Sequence, residues 1–138
     1  MTKNFRVADA VAIEVGDIYA DLHNDFDLRS LEIDFAEKAV RLVFARAVDA
    51  RGSYSCSRLT LTFVGVDYLN ASPGAIAVMG RDVSEIGYKE PLDFDYDWLM
   101  GESQASPADH FFLRFAGDEF IRLHGASALA HCEVLPSS

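Results

Sequence analysis

The chain has 138 residues, half of them hydrophobic and a quarter charged, with 22 acids against 12 Lys and Arg and a net charge of −10. Such a length suits a single domain, 1–138, that buries roughly 70% of its unfolded surface and needs no metal or disulfide framework to fold. The acidic balance argues against nucleic acid as a partner, since phosphate binding depends on Lys and Arg, and no apolar run approaches the ~20 residues of a membrane span.

The opening "MTKNFRVADA" has no apolar core of an export signal, so a cytoplasmic location is expected. "AVAIEVGDIYADL" follows, rich in Val and Ile and interrupted by Gly16, and it reads as strand. Residues 17–37 then concentrate acid: Asp17, Asp21, Asp25, Asp27, Glu32, Asp34 and Glu37 stand against Arg29 alone. Within this stretch "LHNDFDLRSLEIDF" places His23, Asp25 and Asp27 just before a strand expected over 28–35. A calcium loop would need a glycine at its sixth position, where counting from Asp21 gives Phe26. A polar lead-in without a metal is therefore expected.

"LEIDF" and "VRLVF" alternate with period two. Paired around Glu37-Lys38, they bring Phe35 opposite Val40, Ile33 opposite Leu42, Leu31 opposite Phe44 and Asp34 opposite Arg41, with a loop of two or four (36–39) residues. Gly52 and Ser53 punctuate the chain before "RLTLTFVGV", whose Leu59, Leu61 and Phe63 point inward. "NASPGA" makes a loop, and "AIAVM" (75–79) reads as a short strand. Residues 80–109 read as one long irregular connection with a helical turn near Trp98. The acids Asp82, Glu85, Glu90, Asp93, Asp95, Asp97 and Glu102 all fall within 82–102, against Lys89. In "DFDYDW" an extended backbone would turn Asp93, Asp95 and Asp97 to one face and Phe94, Tyr96 and Trp98 to the other.

"HFFLRFAGDEFIRLHG" forms a hairpin. A loop at 117–119 pairs Leu113 with Leu123 and Phe115 with Ile121, and collects the aliphatic residues on one side. Phe112, Arg114, Phe120, Arg122 and His124 then share the other side, with Arg114 opposite Arg122. Like charges so opposed need an anion over them, and the acidic connection (one of Asp93, Asp95 or Asp97) or an acidic ligand could supply it. "ALAHCEVL" is the last strand, with Ala130, Cys132 and Val134 on one face. Cys56 and Cys132 read as buried free thiols. The sum is an all-β fold, an antiparallel β-sandwich or flattened barrel of about seven to nine strands with little helix.

His23, His110, His124 and His131 occur in no HxH, HxxxH or HExxH spacing, no GxSxG, GxGxxG or GxxxxGK[ST] is present, and His131 and Cys132 point to opposite faces of a strand. No catalytic set, metal or cofactor is nominated. "HNDFDLRSLEIDFAEKAVRLVF", "RLTLTFVGVDYL" and "HFFLRFAGDEFIRLHGASA" together resemble small all-β bacterial proteins, some of them proposed as immunity proteins against polymorphic toxins. His23 is followed by Asn24 and Asp25, where that pattern has aspartate directly. The resemblance implies binding and inhibition of a toxin partner. The expected function is thus a cytoplasmic protein-binding module, an immunity-like inhibitor of a basic protein. The expected binding residues are Arg114, Arg122, His124, Phe112, Asp93, Asp95 and Asp97. The rivals are a small-ligand β-barrel with an aromatic-lined pocket and, third, an enzyme without a recognisable motif.

Overall fold

A computed structural model describes residues 1–48, 50, 56–78 and 83–134. Gly52, Ser53, Met79, Asp82 and Leu135 lie outside them. The strands are β1 (Thr2–Lys3), β2 (Arg6–Ala8), β3 (Ala12–Val15), β4 (Ile18–Asp21), β5 (Phe26–Asp34), β6 (Ala39–Arg46), β7 (Arg58–Val64), β8 (Tyr68–Ala71), β9 (Glu85–Lys89), β10 (His110–Arg114), β11 (Phe120–His124) and β12 (Ser127–Glu133), with an α-helical turn, α1 (Ala75–Val78), and 3-10 turns at Glu102–Gln104 and Ala116–Asp118. The fold is all-β. Its strands form a five-stranded sheet in the order β1-β12-β7-β6-β5, a four-stranded sheet β8-β11-β10-β9 and a three-stranded meander β2-β3-β4. Every pairing is antiparallel except β1 with β12. Among the described residues twelve strands replace the expected seven to nine, because the N-terminal stretch divides into four short strands and β9 lies in the connection read as irregular.

One core joins the sheets. Leu42, Phe44, Leu59, Leu61 and Phe63 of the larger sheet meet Phe111, Leu113, Ile121 and Leu123 of the smaller, and Ile13 and Ala20 close one side. Phe63 and Phe111 touch across the layers with ring centroids 5.5 Å apart, and Phe5 and Tyr88 flank Phe111 edge-on at 6.1 and 5.9 Å. "AIAVM" is helical over Ala75–Val78 instead of extended. The Ser72 carbonyl accepts the Ala75 N–H, the Gly74 carbonyl accepts the Ala77 N–H, and Ile76 is exposed, so no strand-like burial exists there.

The β5–β6 hairpin forms, but two residues out of the expected register. Ile33 pairs with Val40, Leu31 with Leu42, Glu32 with Arg41 and Asp34 with Ala39, and the four-residue turn covers 35–38. A bulge at Arg29 interrupts the pairing between Leu28 and Ser30. Exposure rises from 1% at Leu28 to 45% at Ile33 and 86% at Phe35. Ile33 and Phe35 are therefore not core residues and Leu31 is half-buried against the core's edge, while Val40, Leu42, Phe44, Leu59, Leu61, Phe63, Leu113, Phe115, Ile121 and Leu123 are buried as expected. The bulge inverts the inward parity, from the even residues Phe26 and Leu28 to the odd residues Leu31 and Ile33.

Before β5, "LHND" makes a turn. One Asp21 carboxylate oxygen accepts the N–H groups of His23 (2.9 Å) and Asn24 (3.0 Å), and the other accepts the Asn24 side-chain amide. His23 Nδ1 lies 2.8 Å from the Val83 carbonyl oxygen, and Asp25 is buried, with its carbonyl accepting the Ala47 N–H. His23, Asp25 and Asp27 are thus distributed between a turn and the start of a strand.

Candidate binding face

The outer face of β10 and β11 carries Phe112, Arg114, Phe120, Arg122 and His124, and the loop between the strands has three residues. It covers 116–118, one residue earlier than expected, with Gly117 at φ 72° in the left-handed region that glycine tolerates. The Phe115 N–H closes it on the Glu119 carbonyl at 2.7 Å. Leu113 consequently pairs with Ile121, and Phe111 with Leu123. The aliphatic residues still sort to the core side, since a slip of two preserves the face. The arginines, however, are not opposed. Arg114 pairs with Phe120 and Arg122 with Phe112, so cation and aromatic ring alternate diagonally. The expected like-charge pair is avoided by placing Phe112 and Phe120 between the guanidinium groups, their rings stacked at 5.2 Å and 16°.

The chain's own segment 90–98 crosses this face as a strap. Arg122 is fully buried, and all five of its N–H donors have partners. Nε donates to His110 Nδ1 (2.9 Å); Nη1 donates to the Asp93 carbonyl (2.7 Å) and the Tyr96 hydroxyl (3.2 Å); Nη2 donates to the carbonyls of Glu90 (2.9 Å) and Pro91 (3.1 Å). The expected partner was a carboxylate of Asp93, Asp95 or Asp97. The strap instead offers three backbone carbonyls and turns most of its carboxylates away. Carbonyls satisfy the guanidinium because a bent strap aims several of them at one point. Arg114 does reach carboxylates, Glu85 at 3.4 Å and Asp118 at 3.8 Å, and also donates to the Tyr96 carbonyl.

The strap's rings complete the packing. Tyr96 lies over both phenylalanines, 5.0 Å from Phe112 and 4.8 Å from Phe120, and Phe94 covers the Arg122 guanidinium at 4.9 Å. Lys89, at the end of β9, is wholly buried. Its ammonium sits 3.6 Å from the Trp98 ring centroid and 3.4 Å from an Asp93 carboxylate oxygen. The Asp95 N–H, and secondly Lys89, hold the Asp93 carboxyl below the usual carboxylate range. Asp95 and Asp97 stay exposed, each accepting or donating only within successive turns of the strap at 2.9 and 3.1 Å. After the strap, Met100 pairs with Tyr88, and the chain passes so close to β9 that a Cβ on Gly87 would lie 2.7 Å from Leu99 Cβ and 2.8 Å from the Met100 carbonyl.

At the other end of β11, His124 faces an acceptor with each ring nitrogen: Asp67 from Nδ1 at 2.7 Å and the Pro107 carbonyl from Nε2 at 3.1 Å. The hydrogen bond from His124 keeps the Asp67 carboxyl below its ordinary range. His110 stacks between Tyr68 (4.5 Å) and His124 (5.4 Å), and burial, reinforced by the Arg122 charge, pushes its imidazole down to about 4.

Sequence reasoning missed Lys89, Tyr96 and His110 as members of this face, and a separate polar cluster where Lys3 Nζ meets both Glu102 carboxylate oxygens (2.8 and 2.9 Å) and the Tyr88 hydroxyl. Burial there raises the Tyr88 hydroxyl well above its usual value. Lys89 had a readable signal, since "EIGYK" is a five-residue stretch of strand with Gly87 masking its alternation. Cys56 is buried and Cys132 half-buried, both free; burial, with the Cys56 thiol nearby, pushes Cys132 up to about 12. Val134, expected inward beside Cys132, follows the end of β12 and is exposed. Among the described residues no helix is long and apolar enough to cross a membrane. No family model, curated protein or solved structure matches the chain.

Proposed function

We propose that this protein is a cytoplasmic binding module for a basic partner protein, acting as an immunity-like inhibitor, and that the strap 90–98 is its docking surface. The observation that carries this reading is the strap's outward composition. Leu92, Phe94 and Trp98 are 88%, 59% and 46% exposed within seven residues, interleaved with the exposed acids Asp95 and Asp97. Aromatic residues supply most anchors of protein interfaces, and surrounding acids speed encounter with a cationic surface. Arg122 and Lys89 hold the strap in place beforehand, so little conformational entropy remains to be lost on docking.

A filled interior speaks against the small-ligand barrel. Phe5, Phe63, Tyr88 and Phe111, the rings that would line such a pocket, pack on one another instead. Two free thiols suit a reducing compartment. The test is to isolate the partner from the native host and measure association rates at low and high salt. For wild type the on-rate should fall steeply as salt screens charges beyond ~8 Å, and the double variant Asp95→Lys/Asp97→Lys should lose about tenfold at low salt. A salt-independent on-rate that the variant shares would leave the acid with a solubilising role alone.

A further inference from the structure

The hairpin tip is a second surface with a different character. β5 is the longest strand, and among the described residues it pairs on one side only, with β6. A free edge offers unpaired N–H and C=O groups to any strand that can lie beside it, and proteins usually blunt such edges with bulges and charges. Here the bulge at Arg29 protects the inner half of β5, and no second bulge interrupts Ser30–Asp34, where only the acids Glu32 and Asp34 guard the edge. The same segment leads into an apolar groove of about 240 Å³, walled by Ile33, Phe35 and Val40 on the hairpin and by Val66, Tyr68 and Leu69 opposite. Val66 N–H bonds the Lys38 carbonyl at 2.9 Å and closes one side, so the groove is part of the fold and not a gap between loose loops.

We infer that the free edge of β5, from Ser30 to Asp34, takes up an extended, lysine- or arginine-bearing segment of the partner as an added strand, with one apolar side chain of that segment seated in the Ile33/Phe35/Leu69 groove. The inference rests on the proposed function only in that the partner is basic. Charge decides the occupant. Glu32 and Asp34 alternate along the outer face of the edge, Glu32 sharing Arg41 at 3.5 Å between exposed side chains, while at the groove Asp67, bonded to His124, stands with Lys38. A second copy of this chain would bring the same acids across from one another on a protein of net charge −10, and directly opposed like charges destabilise a sheet. An alternating cationic–apolar strand meets both requirements: its cations face Glu32 and Asp34, and its apolar residues face the groove.

The test uses a short alternating lysine–valine peptide titrated into the full chain and followed by amide NMR. The expected result is that the amides of 30–34 shift and gain protection from exchange. N-methylating alternate peptide residues, which removes the donors facing β5 but keeps every charge, should weaken binding by about tenfold or more. Phe35→Ala, at a position 86% exposed, should weaken binding without loss of folding. If the methylated peptide binds equally well, or if only strap amides around Phe94 and Trp98 respond, the added-strand inference is overturned while the acidic-surface reading of function stands. If the β5 amides respond and charge reversal in the strap changes nothing, the edge is the docking site and the strap reading falls.

Discussion

Two segments of this chain carry nearly the same charge and meet opposite fates. Residues 17–37 and 82–102 each hold seven acids against one base. The first runs through a meander strand and out along a hairpin, where Glu32, Ile33, Asp34 and Phe35 reach solvent together. The second contributes β9 and then lies down as a strap over aromatic rings and a buried arginine. Acidity decided little: of the strap's carboxylates only that of Asp93 reaches a buried cation, Lys89. The strap is held through the carbonyls of Glu90, Pro91 and Asp93, groups that every residue possesses, while the carboxylates of Asp95 and Asp97 stay in water. The difference lies in what each segment finds beneath it. Beneath the strap is a guanidinium with five donors to satisfy; between the hairpin tip and Tyr68 and Leu69 of β8 an open groove remains.

The largest effect should come from removing what lies under the strap. Arg122→Ala deletes every donor that gathers the strap carbonyls and empties the space of a fully buried side chain, so a loss of about 3–5 kcal/mol is expected in urea unfolding. Trp98 is the single tryptophan, and its fluorescence should shift to the red in the folded variant as the strap lifts. An Arg122→Ala protein of wild-type stability and fluorescence would break the contrast, since the strap would then be held by its rings alone.

A second effect is a pH dependence that belongs to the strap side only. His110 accepts the Arg122 Nε hydrogen bond, and burial lowers its imidazole from 6.5 to about 4 in the folded protein, with Arg122 and His124 adding to the shift and Asp67 and Asp109 opposing it. Between those values the unfolded chain binds a proton that the folded chain refuses. Stability contributed by neutral His110 is therefore intact above about pH 6.5 and declines as pH falls toward 4. His110→Gln keeps an acceptor for Arg122 and removes the titration. Its unfolding free energy, measured from pH 7.5 to 4.5, should fall less steeply than that of wild type; parallel curves would show that His110 is not the group responsible.

The smallest effect tests the hairpin side. Lys38 closes the four-residue turn at φ 51°, a conformation that costs a side-chain-bearing residue about 1 kcal/mol and glycine almost nothing. Lys38→Gly should raise stability by about 0.5–1 kcal/mol, the gain in backbone fit being partly offset by the greater freedom of the unfolded glycine. A destabilised variant would mean that the Lys38 side chain supports the tip, which would make the hairpin a packed element like the strap.

Alternation alone determined that this protein is all-β, that β7, β10 and β11 turn Leu59, Leu61, Phe63, Leu113 and Ile121 inward, and that Arg114 and Arg122 share the outer face. A period of two is local, and it survives any slip of two residues. Register was not local. The β5–β6 hairpin slid by two because the turn at 35–38 tolerates Lys38 in a left-handed conformation, and the β10–β11 loop moved one residue because Gly117 and Asp118 do the same. The bulge at Arg29 shifts the apolar residues from even to odd positions, a shift the reading of one uninterrupted strand passed over, and the exposure of Ile33 and Phe35 has no mark in the alternation. Only the tertiary structure could reveal that the strap's carbonyls, and not its acids, satisfy Arg122. Carbonyls carry no sequence signature, and which of them converge on one guanidinium depends on how a segment without regular structure bends over a face formed by strands elsewhere in the chain.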